Sequence, residues 1–383
     1  MLLKNVHIIG GAGLQHIHIQ SGKIKAVTDA VDGTAGPTLS FENAIAFPGL
    51  INSHDHLDFN LFPQTGNRTY NNYTEWSRDI RKNNQPEIDA ILKIPQQLRT
   101  QWGIYKNLLN GVTTVVNHGE NLKITNSLIG VFQGCYSLHS IHFENNWKYQ
   151  LNAPFKKKGS FVIHVGEGTD NASGKEIDTL TKWNLFKRKL VGVHGVAMNA
   201  KQAGRFHAVV WCPGSNYFLL NATSDIKLLK KYTHIVFGTD STLTAGWNIW
   251  KQLRMARQTG MLSDNELLNS ITATAANVWN LNKGAIEPGK DADIVVARNN
   301  AGTKDFNSFY ALNPEDILLV MQEGNIRLFD EGLYEQLKVM PFDTGKFSKI
   351  NVNDHVKFVE GDLPALMEEI KTYKADTVFP FKK

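Results

Sequence analysis

Two histidines stand one residue apart at the end of an apolar run, Phe47-Pro48-Gly49-Leu50-Ile51-Asn52-Ser53-His54-Asp55-His56. In an extended strand, residues i and i+2 point to the same side. His54 and His56 can therefore aim both imidazoles at one point just past the strand's end, which is how a strand offers two ligands to one metal ion. Three further runs end in metal-ligand types. Ser160-Phe161-Val162-Ile163-His164 is followed three residues later by Glu167, Leu190 to Val193 leads to His194, and His234 to Thr239 leads to Asp240.

Short β-rich runs closed by Gly, Ser or Asp read as buried parallel strands. Several such strands, each with a His or Asp at its carboxyl end, predict an α/β fold of the (β/α)8 TIM-barrel type. In that fold the active site lies at the C-terminal face and draws its residues from several strand ends. The sequence places strands near Ala46 to Asn52, Thr113 to Asn117, Ser160 to His164, Leu190 to His194, Ala208 to Cys212 and Ile235 to Thr239. Helices are predicted at Glu87 to Asn110, Lys175 to Lys189, Ala200 to Phe206, Asp225 to Tyr232, Asn248 to Gln258 and Asp264 to Ser270. The tight place is 124–159. Two strand-helix units should fit in about 36 residues, whereas one βαβ unit takes roughly 30. Gly134 to His142 offers one strand and the second is not visible. Either a strand is degenerate there or the connecting helices are very short, so the expected barrel is distorted at this point.

These residues resemble the amidohydrolase superfamily of metal-dependent hydrolases over roughly Met1 to Asp330. His54-Asp55-His56 is similar to its first-strand His-x-His, and His164 with Glu167 to its fifth-strand His-x-x-Glu. His194 is similar to the sixth-strand histidine, and Asp240 in Gly238-Thr239-Asp240-Ser241 to the eighth-strand aspartate. The resemblance is to the mononuclear branch, which includes cytosine, guanine and S-adenosylhomocysteine deaminases and triazine hydrolases. No lysine is in view for the carboxylated bridge of the dinuclear branch. The ends agree with the resemblance. Short strands with turns fill Met1 to about Ala46, and Lys283 to Val296 resembles the family's return from barrel to a small β-sandwich. The implied domains are 1–46 plus 283–330 as the sandwich and 47–282 as the hydrolase barrel. Residues 331–383 form an extension whose role is unreadable.

The resemblance implies that His54, His56, His164 and Asp240 hold one divalent cation. Zinc is the first expectation and iron the second, since neutral imidazoles with a carboxylate suit both. Asp240 would also serve as general base, His194 would orient the nucleophile, and Glu167 would carry a proton to a ring nitrogen and then to the leaving group. The implied reaction is deamination of a purine-, pyrimidine-, pterin- or triazine-like amine. The alternative on the same fold is hydrolysis of a cyclic or linear amide, or of another C–N or C–Cl bond. A non-enzymatic relative is disfavoured because all the catalytic residue types are present. Five residues are candidate substrate contacts: His118 after the second strand, Asn145 and Trp147 after the third, and Arg68 and Trp76 in the polar aromatic segment Asn67 to Asn84. Asn216, after Pro213-Gly214-Ser215, reads as a loop stabiliser.

Composition narrows the classes. The 383 residues exceed the usual single domain, and a barrel of about 250 residues plus a small sandwich uses them up. Hydrophobic residues make up 42% and charged ones 20%, ordinary for a globular protein. The net charge of +5 comes with no dense basic run beyond Lys156-Lys157-Lys158, so no nucleic-acid partner is expected. Cys135 and Cys212 give neither a disulfide framework nor a Cys-x-x-Cys metal site. No apolar stretch is long enough to span a membrane, and Met1-Leu2-Leu3-Lys4-Asn5 does not open like a secretory leader. A cytoplasmic enzyme with a small-molecule substrate is expected. A symmetric homodimer would be the commonest oligomer.

Overall fold

The chain opens with four strands, β1 (Leu2–Ile8), β2 (Leu14–Gln20), β3 (Lys23–Thr28) and β4 (Thr38–Pro48). The computed structural model describes all residues except 12, 31–35, 155–158, 304 and 382–383, so Lys156–Lys158 lie outside the described residues. Gly49 then divides the apolar run that leads to the histidines. A Cβ at Gly49 would meet Thr113 Oγ1 at 2.3 Å, so only glycine lets the chain pass this close to its neighbour. Beyond it β5 (Leu50–Asp55) belongs to a different sheet from β4. The first predicted strand, Ala46 to Asn52, is thus two strands in two sheets.

After β5 come α1 (Tyr73–Asn83), α2 (Gln85–Leu92) and α3 (Gln96–Leu109). The single helix expected over Glu87 to Asn110 is two helices. Pro95 separates them, because proline lacks the N–H for a helical bond and pushes its predecessor out of the α region. In the segment read as a polar loop, Asn72 caps α1 by accepting from the Glu75 N–H.

Seven more strands follow β5 in parallel order: β6 (Val112–Asn117), β7 (Gly130–Phe132), β8 (Tyr136–Leu138), β9 (Phe161–Val165), β10 (Leu190–His194), β11 (Ala208–Trp211) and β12 (His234–Phe237). They form two parallel sheets, β5-β6-β7 and β12-β11-β10-β9-β8. The crowded region at 124–159 is explained by β7 and β8. Each has three residues, only three residues link them, and α4 (Trp147–Asn152) is the one helix described there. The ladder is interrupted between β7 and β8. At the other edge β12 meets β5 through single contacts, such as the Asp240 N–H to the His54 carbonyl at 3.0 Å.

Alternate residues of the same strands enter two separate cores. Ile51, Val116, Val162, Val191, Val193 and Val210 pack together on one side, closed by Trp279. Val115, Phe161, Ile163, Val209 and Phe237 pack on the other, against helices. This period of two, with both faces buried, is why these strands read as unbroken apolar runs. Each such side chain contributes roughly 1.5–3 kcal/mol on burial.

The rest of the chain builds the first sheet. Strands β13 (Ile294–Arg298), β14 (Ile317–Gln322), β15 (Asn325–Asp330), β16 (Phe347–Val352) and β17 (His355–Glu360) join β1–β4 in the order β16-β17-β15-β14-β13-β4-β1-β2-β3. The N- and C-terminal segments pair through β4 and β13. The extension from 331 has a clear structural part as well, since it supplies β16 and β17. Its Phe379 meets Trp102 of α3 edge-on at 4.7 Å, and Phe381 stacks on the same ring at 5.7 Å. No helix among the described residues is long and apolar enough to cross a membrane.

Candidate metal centre

Strand ends deliver the predicted residues to one place. His54 lies near the end of β5 and His56 just past it, His164 lies near the end of β9 and His194 ends β10, while Asp240 stands three residues past β12. His54 Nε2 is 3.2 Å from His164 Nε2 and 3.8 Å from Asp240 Oδ1. His56 Nε2 is 3.9 Å from the same carboxylate oxygen, and His194 Nε2 is 3.8 Å from Asp240 Oδ2. Two overlapping triads, His54-His164-His194 and His54-His56-Asp240, hold all their ligand atoms within 4.8 Å. A cation bound at ~2.1 Å would set tetrahedral ligands ~3.4 Å apart, close to these separations.

Hydrogen bonds fix which nitrogen faces inward. The His164 Nδ1–H donates to the His139 carbonyl at 2.9 Å. The His194 Nδ1–H donates to Asn216 Oδ1 at 2.8 Å, while Asn216 Nδ2 donates to Thr223, which orients the amide. Both rings then present an Nε2 lone pair to the centre. His54 Nδ1 and both nitrogens of His118 are buried with no hydrogen-bond partner among the described residues. Inward-facing lone pairs, a carboxylate and orphaned imidazole nitrogens fit a divalent cation.

Burial sets the charge states. Desolvation, aided by neighbouring histidines, drives His54, His118 and His164 well below their ordinary pKa, and burial also lowers His194. That shift favours the neutral imidazole, the form a metal ligand needs. For Asp240 burial pushes the pKa up, but His194, His56 and the Ser241 N–H outweigh it and hold the carboxylate below its usual range. Burial has the opposite outcome at Glu167, which desolvation and the nearby Asp240 and Glu176 carboxyls raise well above 4.5. Two carboxyls with divergent pKa values side by side suit one base and one acid. Glu167 Oε1 lies 3.5 Å from His194 Nε2.

Two residues of the centre have a strained backbone. His194 (φ 70°) and Asp240 (φ 58°) occupy the left-handed region. Each carbonyl is held by a hydroxyl, Ser224 Oγ for His194 and Thr239 Oγ1 for Asp240. Glycine at 238 lets β12 approach β5, since a Cβ there would meet His54 Cβ at 2.7 Å.

A cavity of 540 Å³ opens from this cluster, walled by Tyr73, Trp76 and Ile80 of α1, Leu92 of α2 and Phe59 and Phe62 after β5. Of the proposed substrate contacts, Trp76 lines it. His118 lies behind it, its ring 4.5 Å from His164. The other three are elsewhere. Arg68 is paired with Glu75 at 2.7 Å, Trp147 is buried in the hydrophobic core, and Asn145 is exposed outside the cavity lining. Asn216 does more than steady a loop, because it orients His194. Lys106 went unnoticed in the sequence. Asp55, buried within the first-strand motif, was a signal that some cation must reach it.

Residues 154–327 match the Amidohydrolase family. A 5-methylthioadenosine/S-adenosylhomocysteine deaminase from Caldicellulosiruptor saccharolyticus is 24% identical, the match covering 82% of this chain and 88% of that one. Among solved structures, a zinc-bound adenosine deaminase from Xanthomonas campestris superposes with a TM-score of 0.72 at 16% identity, over 98% of this chain and 97% of that one. Guanine deaminase from C. acetobutylicum gives 0.64 at 16% identity, over 85% and 99%. Atrazine chlorohydrolase from Arthrobacter aurescens gives 0.65 at 16% identity, over 85% and 94%. The match over residues 154–327, the histidine–aspartate centre at the strand ends and these likenesses together support placing the chain with the amidohydrolases, near such deaminases and triazine hydrolases.

Proposed function

We propose that this protein is a metal-dependent aminohydrolase. It adds water to a ring carbon bearing an amino group, and the C–N bond then breaks to leave the oxo ring and ammonia. One observation carries the reading. Glu167, a buried carboxyl raised well above 4.5, stands beside the lowered Asp240 carboxylate and 3.5 Å from His194. The relative that deaminates 5-methylthioadenosine and S-adenosylhomocysteine places purine amines first among candidate rings.

His54, His56, His164 and Asp240 would hold one ion, with zinc favoured by imidazole and carboxylate donors. When bound, that ion supplies a water acidic enough to lose a proton near pH ~7. Asp240, held as a carboxylate, would accept that proton. Glu167 would give its proton to the ring nitrogen beside the amino carbon, which makes that carbon electrophilic; it would then take the proton of the added hydroxyl as the C=O forms and pass it to the departing amine, and the proton held by Asp240 would restore Glu167. His194, its Nδ1–H committed to Asn216, offers Nε2 to orient the nucleophile. Phe59, Tyr73 and Trp76 are placed to pack on a planar ring and exclude water.

The same reading takes β5–β12 as a closed eight-stranded barrel, with 47–282 as the hydrolase domain and 1–46 plus 283–330 as the accompanying sheet domain. The sequential order of the eight strands, parallel within each of their two sheets, supports it. The test is ammonia release by zinc-loaded protein from aminopurines, aminopyrimidines, pterins and aminotriazines, with Glu167→Gln alongside. Release that falls by ~10²–10⁴ in the variant supports the assignment. Silence from metal-replete protein across the whole panel refutes deamination, and chloride release from a chlorotriazine would move the reading to C–Cl hydrolysis.

A further inference from the structure

Lys106 is 2% exposed, on the inner face of α3, and belongs to none of the roles above. Its ammonium donates to Asp55 Oδ2 at 2.9 Å, to Thr239 Oγ1 at 3.3 Å and to the Asp240 carbonyl at 3.5 Å. A single buried cation thus touches the residue between the two β5 histidines and the backbone of the β12 aspartate.

The surroundings complete the tie. Asp55 is fully buried and also accepts from Asn107 Nδ2 at 2.8 Å and, on its other oxygen, from Asn60 Nδ2 at 2.9 Å. Asn52 bridges the same two strands, accepting the Thr239 N–H at 3.0 Å and donating to Thr239 Oγ1 at 2.8 Å. The sheet ladder does not run from β12 to β5, so this cluster is the main polar link across that seam. Asp240 is also one of the two residues of the centre with a left-handed backbone, and its carbonyl is the atom Lys106 and Thr239 hold. A strained conformation persists only where its surroundings over-determine it. A buried charge pair with every lone pair satisfied is a costly device for stability alone, because apolar packing would serve as well.

We infer that Lys106 is a positioning residue. By gripping Asp55 and the Asp240 carbonyl together, it sets the distance between the β5 histidines and the β12 carboxylate, and so the affinity and symmetry of the cation site. This rests on the metal reading above. Groups that orient metal ligands through hydrogen bonds typically change metal affinity by ~10–100-fold when removed.

The test uses the full-length chain, with zinc affinity by chelator competition and the visible absorption of the cobalt(II) form as readouts that need no turnover. Lys106→Met alone would strand the Asp55 charge and can fail to fold. The informative variants are the double Lys106→Met/Asp55→Asn, which removes both charges, and Thr239→Val, which keeps them paired but removes the hydroxyl link. The expected result is a zinc dissociation constant raised ~10–100-fold in the double variant, a smaller rise in Thr239→Val, and an altered cobalt spectrum in both. If the double variant does not fold, Thr239→Val decides by the same readouts. Wild-type zinc affinity and an unchanged cobalt spectrum in the folded variants would overturn the inference and leave a purely structural ion pair. Wild-type protein that binds no zinc would overturn the metal reading, and this inference with it.

Discussion

Glu176 offers a prediction whose size follows from the structure. This glutamate of α5 (Asn171–Trp183) is 3% exposed and sits behind Glu167. One oxygen accepts from the Gly166 N–H at 3.2 Å and the other from Tyr73 Oη at 3.1 Å, while the Tyr73 N–H donates to the Glu167 carbonyl. Desolvation pushes its carboxyl up from 4.5 to about 7, against the pull of those two hydrogen bonds. The folded state therefore keeps a proton that the unfolded chain releases. Stability from this group is fully present below about pH 4.5 and is lost as the pH rises to about 7. At ~1.4 kcal/mol per pH unit, the gap is worth about 3 kcal/mol. Glu176→Gln mimics the protonated acid, since its amide can accept from Gly166 and donate to Tyr73. Urea unfolding of both proteins from pH 4.5 to 8.5 gives the difference directly, because the titrations they share cancel. The variant should match the wild type at the acid end and exceed it by about 3 kcal/mol at pH 8. Profiles that stay parallel across the range, within ~0.5 kcal/mol, would refute the claim that burial raises this carboxyl.

Two further outcomes follow from single contacts. Asn216→Ala deprives the His194 Nδ1–H of its acceptor and frees the tautomer, so ammonia release should fall ~10–100-fold while zinc affinity by chelator competition and the fold stay as in the wild type. Gly49→Ala puts a Cβ against Thr113 Oγ1 at 2.3 Å and should lower unfolding stability by ~1–3 kcal/mol in urea. Gly246→Ala, where a Cβ meets nothing within 4 Å, should change it by less than ~0.5 kcal/mol.

Which residues form the centre was legible in the chain because strand chemistry is local. An apolar run with buried faces on both sides announces itself in sequence, and a His or Asp at its end must emerge at the strand's carboxyl edge. His54, His56, His164, Glu167, His194 and Asp240 were all readable on those grounds and by resemblance. So was the pairing of the two chain ends, through the Lys283 to Val296 segment. Less was readable where local signals run out. Three-residue strands such as β7 and β8 are too short to show a period, and the split of one apolar run into β4 and β5 depends on Gly49 meeting Thr113 from a strand 60 residues away.

The sequence by itself determined the ligand types, their strand-end setting and the parallel class of fold, because each depends on alternation and turn chemistry within a few residues. The tertiary structure decided which side chains share a low-dielectric space. Only the packing of α3 against β5 and β12 brings Lys106 to Asp55, and only the placement of the helix Pro213–Leu220 after β11 brings Asn216 to His194. The same burial lifts Glu167 and Glu176 while Asp240 stays low, since desolvation and charge proximity depend on neighbours that are distant in the chain. It also turned Arg68, Asn145 and Trp147 away from the cavity, for side-chain direction is set by the partners a residue finds, and residue type alone does not name them.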